Sequence, residues 1–178
     1  MQIDTPACPP PVRGGHASPD DFRYAMRSLA GGVCVLTSEL DGMPVGLTAT
    51  AVTSLCADPP RLLACVNRKV YAHTAFEQTR TLCVNVLAAE DTEVARRFAG
   101  MVPDVSGTER FAHGAWHGTP PALAGALASF ACRIVEIVPA HSHSILICEV
   151  ERVATSDTLA APLVYAQGQF GQFTRTNP

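Results

Sequence analysis

The chain has 178 residues, 47% hydrophobic and 16% charged, with a net charge of −3. That length suits one domain with one sizeable core, and a pI near 6.0 leaves no basic footprint for nucleic acid. No run approaches the roughly 18 uninterrupted apolar residues of a membrane span, and the Pro/Gly-rich stretch 1–17 lacks a signal peptide's apolar core.

The domain is expected over 18–178, behind a flexible N-terminal arm over 1–17. Ser18-Pro19-Asp20-Asp21 opens a helix with an N-cap serine, proline at the first position and acids facing the positive end. Phe22, Met26 and Leu29 share one helical face, and Gly31-Gly32 ends it. The period then becomes strand-like. Val33–Thr37 is a β run, Asp41-Gly42 a hairpin signal, and Val45–Ser54 reads as one further strand broken by Asp58-Pro59-Pro60. Leu62–Val66 and Leu82–Leu87 suit buried strands, with a short helix over about 71–78 between them. Asp91–Ala99 is a helix ended by Gly100, and 101–121 a long loop. Leu127–Val138, Ser144–Val153 and Leu163–Phe173 complete the strands. About seven strands with two or three short helices point to a mainly β, closed barrel with helical caps.

The seven cysteines (8, 34, 56, 65, 83, 132 and 148) form no C-x-x-C pair, and five lie in strand-like runs. Buried, reduced thiols in a cytoplasmic protein are expected, rather than a disulfide framework. His141 and His143, with His113 or His117, offer a three-histidine metal reading without a supporting acid, as in a cupin-like oxygenase. A Cys–His nucleophile pair has no strand-to-helix turn to sit on. Gly31-Gly32 and Gly168-x-x-Gly171 are not a dinucleotide fingerprint.

Three other clusters suit a planar, phosphorylated ligand. Thr48, Thr50, Thr53 and Ser54 lie beside the small residues Gly46, Ala49 and Ala51, which let a ring approach the backbone while hydroxyls meet its polar edge. Threonine is also an ordinary strand residue. Asn67-Arg68-Lys69 ends a buried strand with a basic pair suited to phosphate, or simply solvated. Asn85 stands in an apolar strand and needs partners, which backbone or ligand could supply.

The order of these motifs resembles the flavin reductase-like family of FMN-binding split barrels, the reductase components of two-component flavin monooxygenases. The likeness runs from about Asp21 to Phe173, through GLTATAVTSLCADPP (46–60), CVNRK (65–69), CVNVLAAED (83–91), Arg97-Phe98-Ala99, ACRIVEIV (131–138), HSILICEV (143–150) and PLVYAQGQF (162–170). It implies a homodimeric split β-barrel with short capping helices. Thr48, Ala49, Thr50, Ala51 and Ser54 would line the isoalloxazine and ribityl chain. Asn67, Arg68 and Lys69 would lie near flavin phosphate, with Asn85 in the adjoining strand. His143 and Tyr165 would face the nicotinamide. The chain departs from the family pattern at Thr50-Ala51 (often Asn-Ser), at Cys56 and Val70 (often Ser) and at Gln167 (often Arg). The implied activity is reduction of FAD, or FMN, by NADH or NADPH, with reduced flavin released to a separate monooxygenase or halogenase. The other open reading is a non-catalytic flavin- or haem-binding split barrel.

Overall fold

The structure, a computed structural model, describes residues 15–157 and 159–174. Most of the expected N-terminal arm lies outside the described residues. Helix α1 (Pro19–Met26) begins as its sequence dictates: the Ser18 hydroxyl accepts from the Asp21 N–H at 3.1 Å. After the two-residue strand β1 (Gly31–Gly32), β2 (Cys34–Leu40) and β3 (Met43–Ala49) form the expected hairpin. Its turn residues, Asp41 and Gly42, have φ of 52° and 76°. Two consecutive positive φ values define the turn that suits twisted antiparallel strands.

The next segment departs from the sequence reading. Val45–Ser54 is not one strand: β3 stops at Ala49 and β4 (Val52–Ala57) starts after Thr50-Ala51. β5 (Pro60–Asn67), α2 (Tyr71–Thr79), β6 (Thr81–Val86) and α3 (Thr92–Phe98) follow, the last preceded by a 3-10 turn at Ala89–Asp91. The stretch read as a loop holds a second 3-10 turn (Gly107–Ala112) and a small pair, β7 (Trp116–His117) with β8 (Ala122–Leu123). Long strands β9 (Ala128–Ala140) and β10 (His143–Thr155) make a hairpin. The closing run Leu163–Phe173 is likewise two strands, β11 (Leu163–Ala166) and β12 (Gln169–Gln172), turning at Gln167-Gly168. Both residues there have positive φ, 54° and 80°.

Seven strands form one antiparallel sheet in the order β3-β2-β6-β9-β10-β5-β4. Its edges, β3 and β4, are separated by only two residues of chain, so Ala49 and Val52 lie at most about 10 Å apart. A seven-strand sheet can meet that restraint only by curling until its edges adjoin, which makes a barrel with a seam at Thr50-Ala51. Inside it pack Leu36, Val45, Leu62, Ala64, Val66, Leu82, Val84 and Leu146, under Phe76 of α2. A second cluster, Val33, Val35, Leu87, Val94, Phe98 and Leu163, joins α3 and the small sheet β1-β11-β12 to the barrel wall. No helix among the described residues is long and apolar enough to cross a membrane.

Candidate active site

At the seam, a cavity of about 580 Å3 opens between α1, the Gly31-Gly32 strand, the Thr50–Val52 crossover and the β11–β12 turn. Two glycines shape its floor. A Cβ on Gly31 would lie 3.1 Å from the Thr50 Cβ, whereas one on Gly32 would meet nothing within 4 Å. The space beside Gly32 is therefore kept open by the missing side chain. Tyr165 pairs with Gly31 across the strands, and its ring packs against Phe170 at 5.1 Å. Gln167 closes the rim: its N–H donates to the Arg27 carbonyl at 2.7 Å, and its amide to the Ser28 hydroxyl at 3.5 Å. Thr50 and Ala51, singled out by residue type, and Tyr165 and Gln167, singled out by the resemblance, thus line one cavity.

A second group lies beside it. The Cys65 N–H donates to the Ala51 carbonyl at 2.9 Å, and Asn67 is two residues further along β5, about 7 Å. His143 is the direct cross-strand partner of Asn67, so their side chains share the outer face of the barrel. The Asn67 carboxamide accepts from the Lys69 N–H at 2.9 Å, and the Arg68 N–H donates to the Ser142 carbonyl. These bonds fix a turn on which Arg68 and Lys69 stand exposed. Among the described residues neither cation has a carboxylate within ion-pair distance. His143 is also exposed, its Nδ1 2.9 Å from the Ser142 hydroxyl.

Four expected residues are placed differently. Ala49 turns its methyl into the barrel core, opposite Cys34. Thr48 donates its hydroxyl to the Ala95 carbonyl at 2.7 Å, on the side of α3. Ser54 is exposed at a bulge lower on β4, outside the cavity lining. Asn85 corrects the sequence reading most clearly. It is fully buried, and its amide oxygen accepts from the Leu123 N–H at 2.8 Å and the Ser129 hydroxyl at 3.0 Å. Its NH2 donates to the Val35 carbonyl at 3.2 Å and the Thr37 hydroxyl at 3.3 Å. An amide so saturated has nothing left for a ligand. Asn85 pins the 121–123 segment to the barrel.

Arg27, Gly31, Gly32 and the α1 side chains Phe22 and Met26 belong to the cavity but were not singled out as site residues. The double glycine reads locally as a helix terminator. Its position between the helix and the first strand was the available signal for a close backbone approach.

The rival chemistries find no such assembly. Among the described residues no three His, Cys, Asp or Glu side chains are placed to hold a metal ion. The six described cysteines are free, and only Cys56 is exposed. Burial pushes the thiols of Cys34 and Cys83 up to about 11 and that of Cys148 to about 12. Thiols held protonated in this way are poor nucleophiles.

Residues 26–174 match the model of the flavin reductase like domain. The chain belongs to this flavin reductase-like family. Over 158 residues the reductase is 42% identical to "FMN reductase (NADH) RutF 1" of Methylorubrum extorquens strain PA1, covering 87% of this chain and 76% of the relative. It is 37% identical to the reductase component of 4-nitrophenol 4-monooxygenase/4-nitrocatechol 2-monooxygenase of Rhodococcus opacus, covering 86% and 80%. It superposes with a TM-score of 0.79 and 28% identity on the Streptomyces globisporus NADH:FAD oxidoreductase SgcE6, solved with NAD and FAD fragments, over 90% and 98% of the two chains.

The residues at the seam fit the flavin that the family implies. A floor without side chains admits a flat ring, Thr50 offers a hydroxyl, and Arg68 and Lys69 offer cations for phosphate at one side. No carboxylate pair or nucleophilic triad is needed for flavin reduction, because the cofactors carry that chemistry.

Proposed function

We propose that the reductase is an NADH:flavin oxidoreductase, with NADPH as a possible substitute donor, that reduces FAD or FMN and releases the product to a partner monooxygenase or halogenase. One observation carries this reading: an open-floored cavity lies at the barrel seam, and β5, bonded to the seam at Ala51, runs on to His143's partner Asn67 and to two cations without an ion pair among the described residues. When bound, flavin supplies a hydride acceptor at N5 for the hydride at nicotinamide C4. The protein's part is alignment of the two rings at roughly 3 to 3.5 Å. Gly31-Gly32 and the Thr50-Ala51 backbone hold one ring edge, Arg68 and Lys69 hold phosphate, and His143 and Tyr165 orient the nicotinamide. Both cations are exposed on a turn rather than buried in a clamp, which suits a flavin that enters and leaves as a substrate. Steady NADH oxidation by the purified protein in excess flavin is the direct test. No turnover with FAD, FMN or riboflavin, under either nucleotide, would contradict it.

The working form in this proposal is a homodimer. Helix α1 buries none of its residues, and Phe22, Met26 and Leu29 are 60%, 44% and 66% exposed. The outer face of β4 adds Leu55, 47% exposed, so apolar surface lies on both sides of the seam. A second copy seated there would enclose the cavity. Sedimentation of the wild type at twice the 18.8 kDa chain mass, and of Phe22→Glu at that mass, is the expected result.

A further inference from the structure

The start of β10 holds more than His143. Ser144, the next residue, turns its side chain inward, where its hydroxyl lies 2.9 Å from Nε2 of His73 in the first turn of α2. Glu77, one helical turn further on, places a carboxylate 3.5 Å from Nδ1. A carboxylate only accepts, so in the neutral ring Nδ1 carries the proton and Nε2 accepts from the Ser144 hydroxyl. Serine, histidine and glutamate in this order resemble a nucleophile with its base, but Ser144 and His73 are 2% and 3% exposed, and no substrate reaches the hydroxyl. The chain of groups is a link rather than a reactive centre, and what it links is the basic turn.

Helix α2 has no cap of its own: Val70, at its N-cap position, makes no side-chain hydrogen bond to the first turn. Its far end is held by the Thr79 hydroxyl, 3.1 Å from that of Ser38 on β2. Its near end is held by His73. Three consecutive residues at the β9–β10 turn thereby grip the segment between β5 and α2. Ser142 accepts from the Arg68 N–H at 3.0 Å, His143 pairs with Asn67, and Ser144 bonds His73. Arg68 and Lys69 stand exposed in the middle of this closed ring. We propose that the Ser144–His73–Glu77 chain sets the position of Arg68 and Lys69 for the flavin phosphate, which makes His73 and Ser144 positioning residues for phosphate-bearing flavins. The inference rests on the phosphate reading of the basic turn. A turn held in one place loses less freedom on binding, so the link acts on affinity and not on the reduction step.

The experiment compares FMN with riboflavin, which has the same ring system and no phosphate, at saturating NADH. Ser144→Ala is expected to raise KM for FMN about fivefold, the contribution of one hydrogen bond, with kcat and the KM for riboflavin unchanged. Riboflavin turnover doubles as the control for folding. Glu77→Ala, at a half-exposed position, should shift FMN the same way by about twofold. In an Arg68→Ala/Lys69→Ala background Ser144→Ala should add nothing, whereas a merely structural link would cost the same factor there. Equal changes for both flavins, no change in either single variant, or full additivity with the double variant would overturn the inference. If Arg68→Ala/Lys69→Ala itself treats FMN and riboflavin as the wild type does, the phosphate reading has failed and takes the inference with it. If that double variant discriminates and Ser144→Ala does not, the inference alone has failed.

Discussion

His143 and Asn67 stand directly opposite each other on β10 and β5, at the end of the barrel where the chain turns into Arg68-Lys69. Cross-strand partners share a face, so one strand end presents an imidazole and a carboxamide beside the seam cavity. If His143 orients the nicotinamide, His143→Ala should cost about one hydrogen bond, near 1.4 kcal/mol, or tenfold in kcat/KM for NADH. Flavin KM should stay the same. Stopped-flow reduction at varied NADH checks this, and an unchanged rate would return His143 to a structural part.

Gly32 offers a test of the cavity floor. Its backbone has no positive φ, and a Cβ there meets nothing within 4 Å. Gly32→Val should therefore leave stability within about 0.5 kcal/mol of the wild type. It should fill the space needed by a flat ring and raise flavin KM by an order of magnitude or more. A thermal melt and a flavin titration together decide it.

Asn85 has the opposite profile. Asn85→Leu strands the Leu123 N–H and the Ser129 hydroxyl in the interior. Unsatisfied buried groups cost about 1–3 kcal/mol each, so a loss of about 3 kcal/mol is expected in urea unfolding. Flavin and NADH affinities of the folded fraction should not change, since the amide's donors and acceptor are all engaged within the protein.

Glu149 bridges two arginines, Arg61 at 2.9 Å and Arg133 at 2.7 Å. The hydrogen bond from Arg61, before any other cause, holds its carboxyl below the usual range. A folded-state pKa below the unfolded one gives stability that is complete above the unfolded value, roughly 4.3, and is lost as pH falls through the folded one. The wild type should thus exceed Glu149→Gln in stability at neutral pH, with the gap closing below about pH 4. Urea midpoints at a series of pH values measure it.

Local features of this fold were legible where the chemistry is local. Ser18-Pro19-Asp20 starts a helix by capping, and Asp41-Gly42 makes a turn by its φ preferences. The seam was not, because Thr50-Ala51 carries no Gly or Pro. Its crossover arises from barrel closure, a restraint between strands distant in sequence. The outward face of α1 was likewise hidden: the Phe22, Met26, Leu29 pattern shows an apolar stripe and says nothing of what covers it. Asn85 was recognised as a buried amide in need of partners. That those partners are β2, β8 and β9, rather than a ligand, is tertiary information. Thr50, Ala51 and the Asn67–Lys69 turn stood out by residue type, and Tyr165 and Gln167 only through the order of family motifs; the fold lines one cavity with Thr50, Ala51, Tyr165 and Gln167.

The central claim is that flavin is a substrate which leaves reduced, and release can be measured apart from reduction. The reductase, FAD and NADH are placed anaerobically on one side of a dialysis membrane, with ferricytochrome c on the other. The account expects cytochrome reduction that requires both the reductase and flavin, beyond what NADH does alone. NADH consumption that ends after one equivalent per protein, with the flavin retained and the cytochrome oxidised, would contradict it.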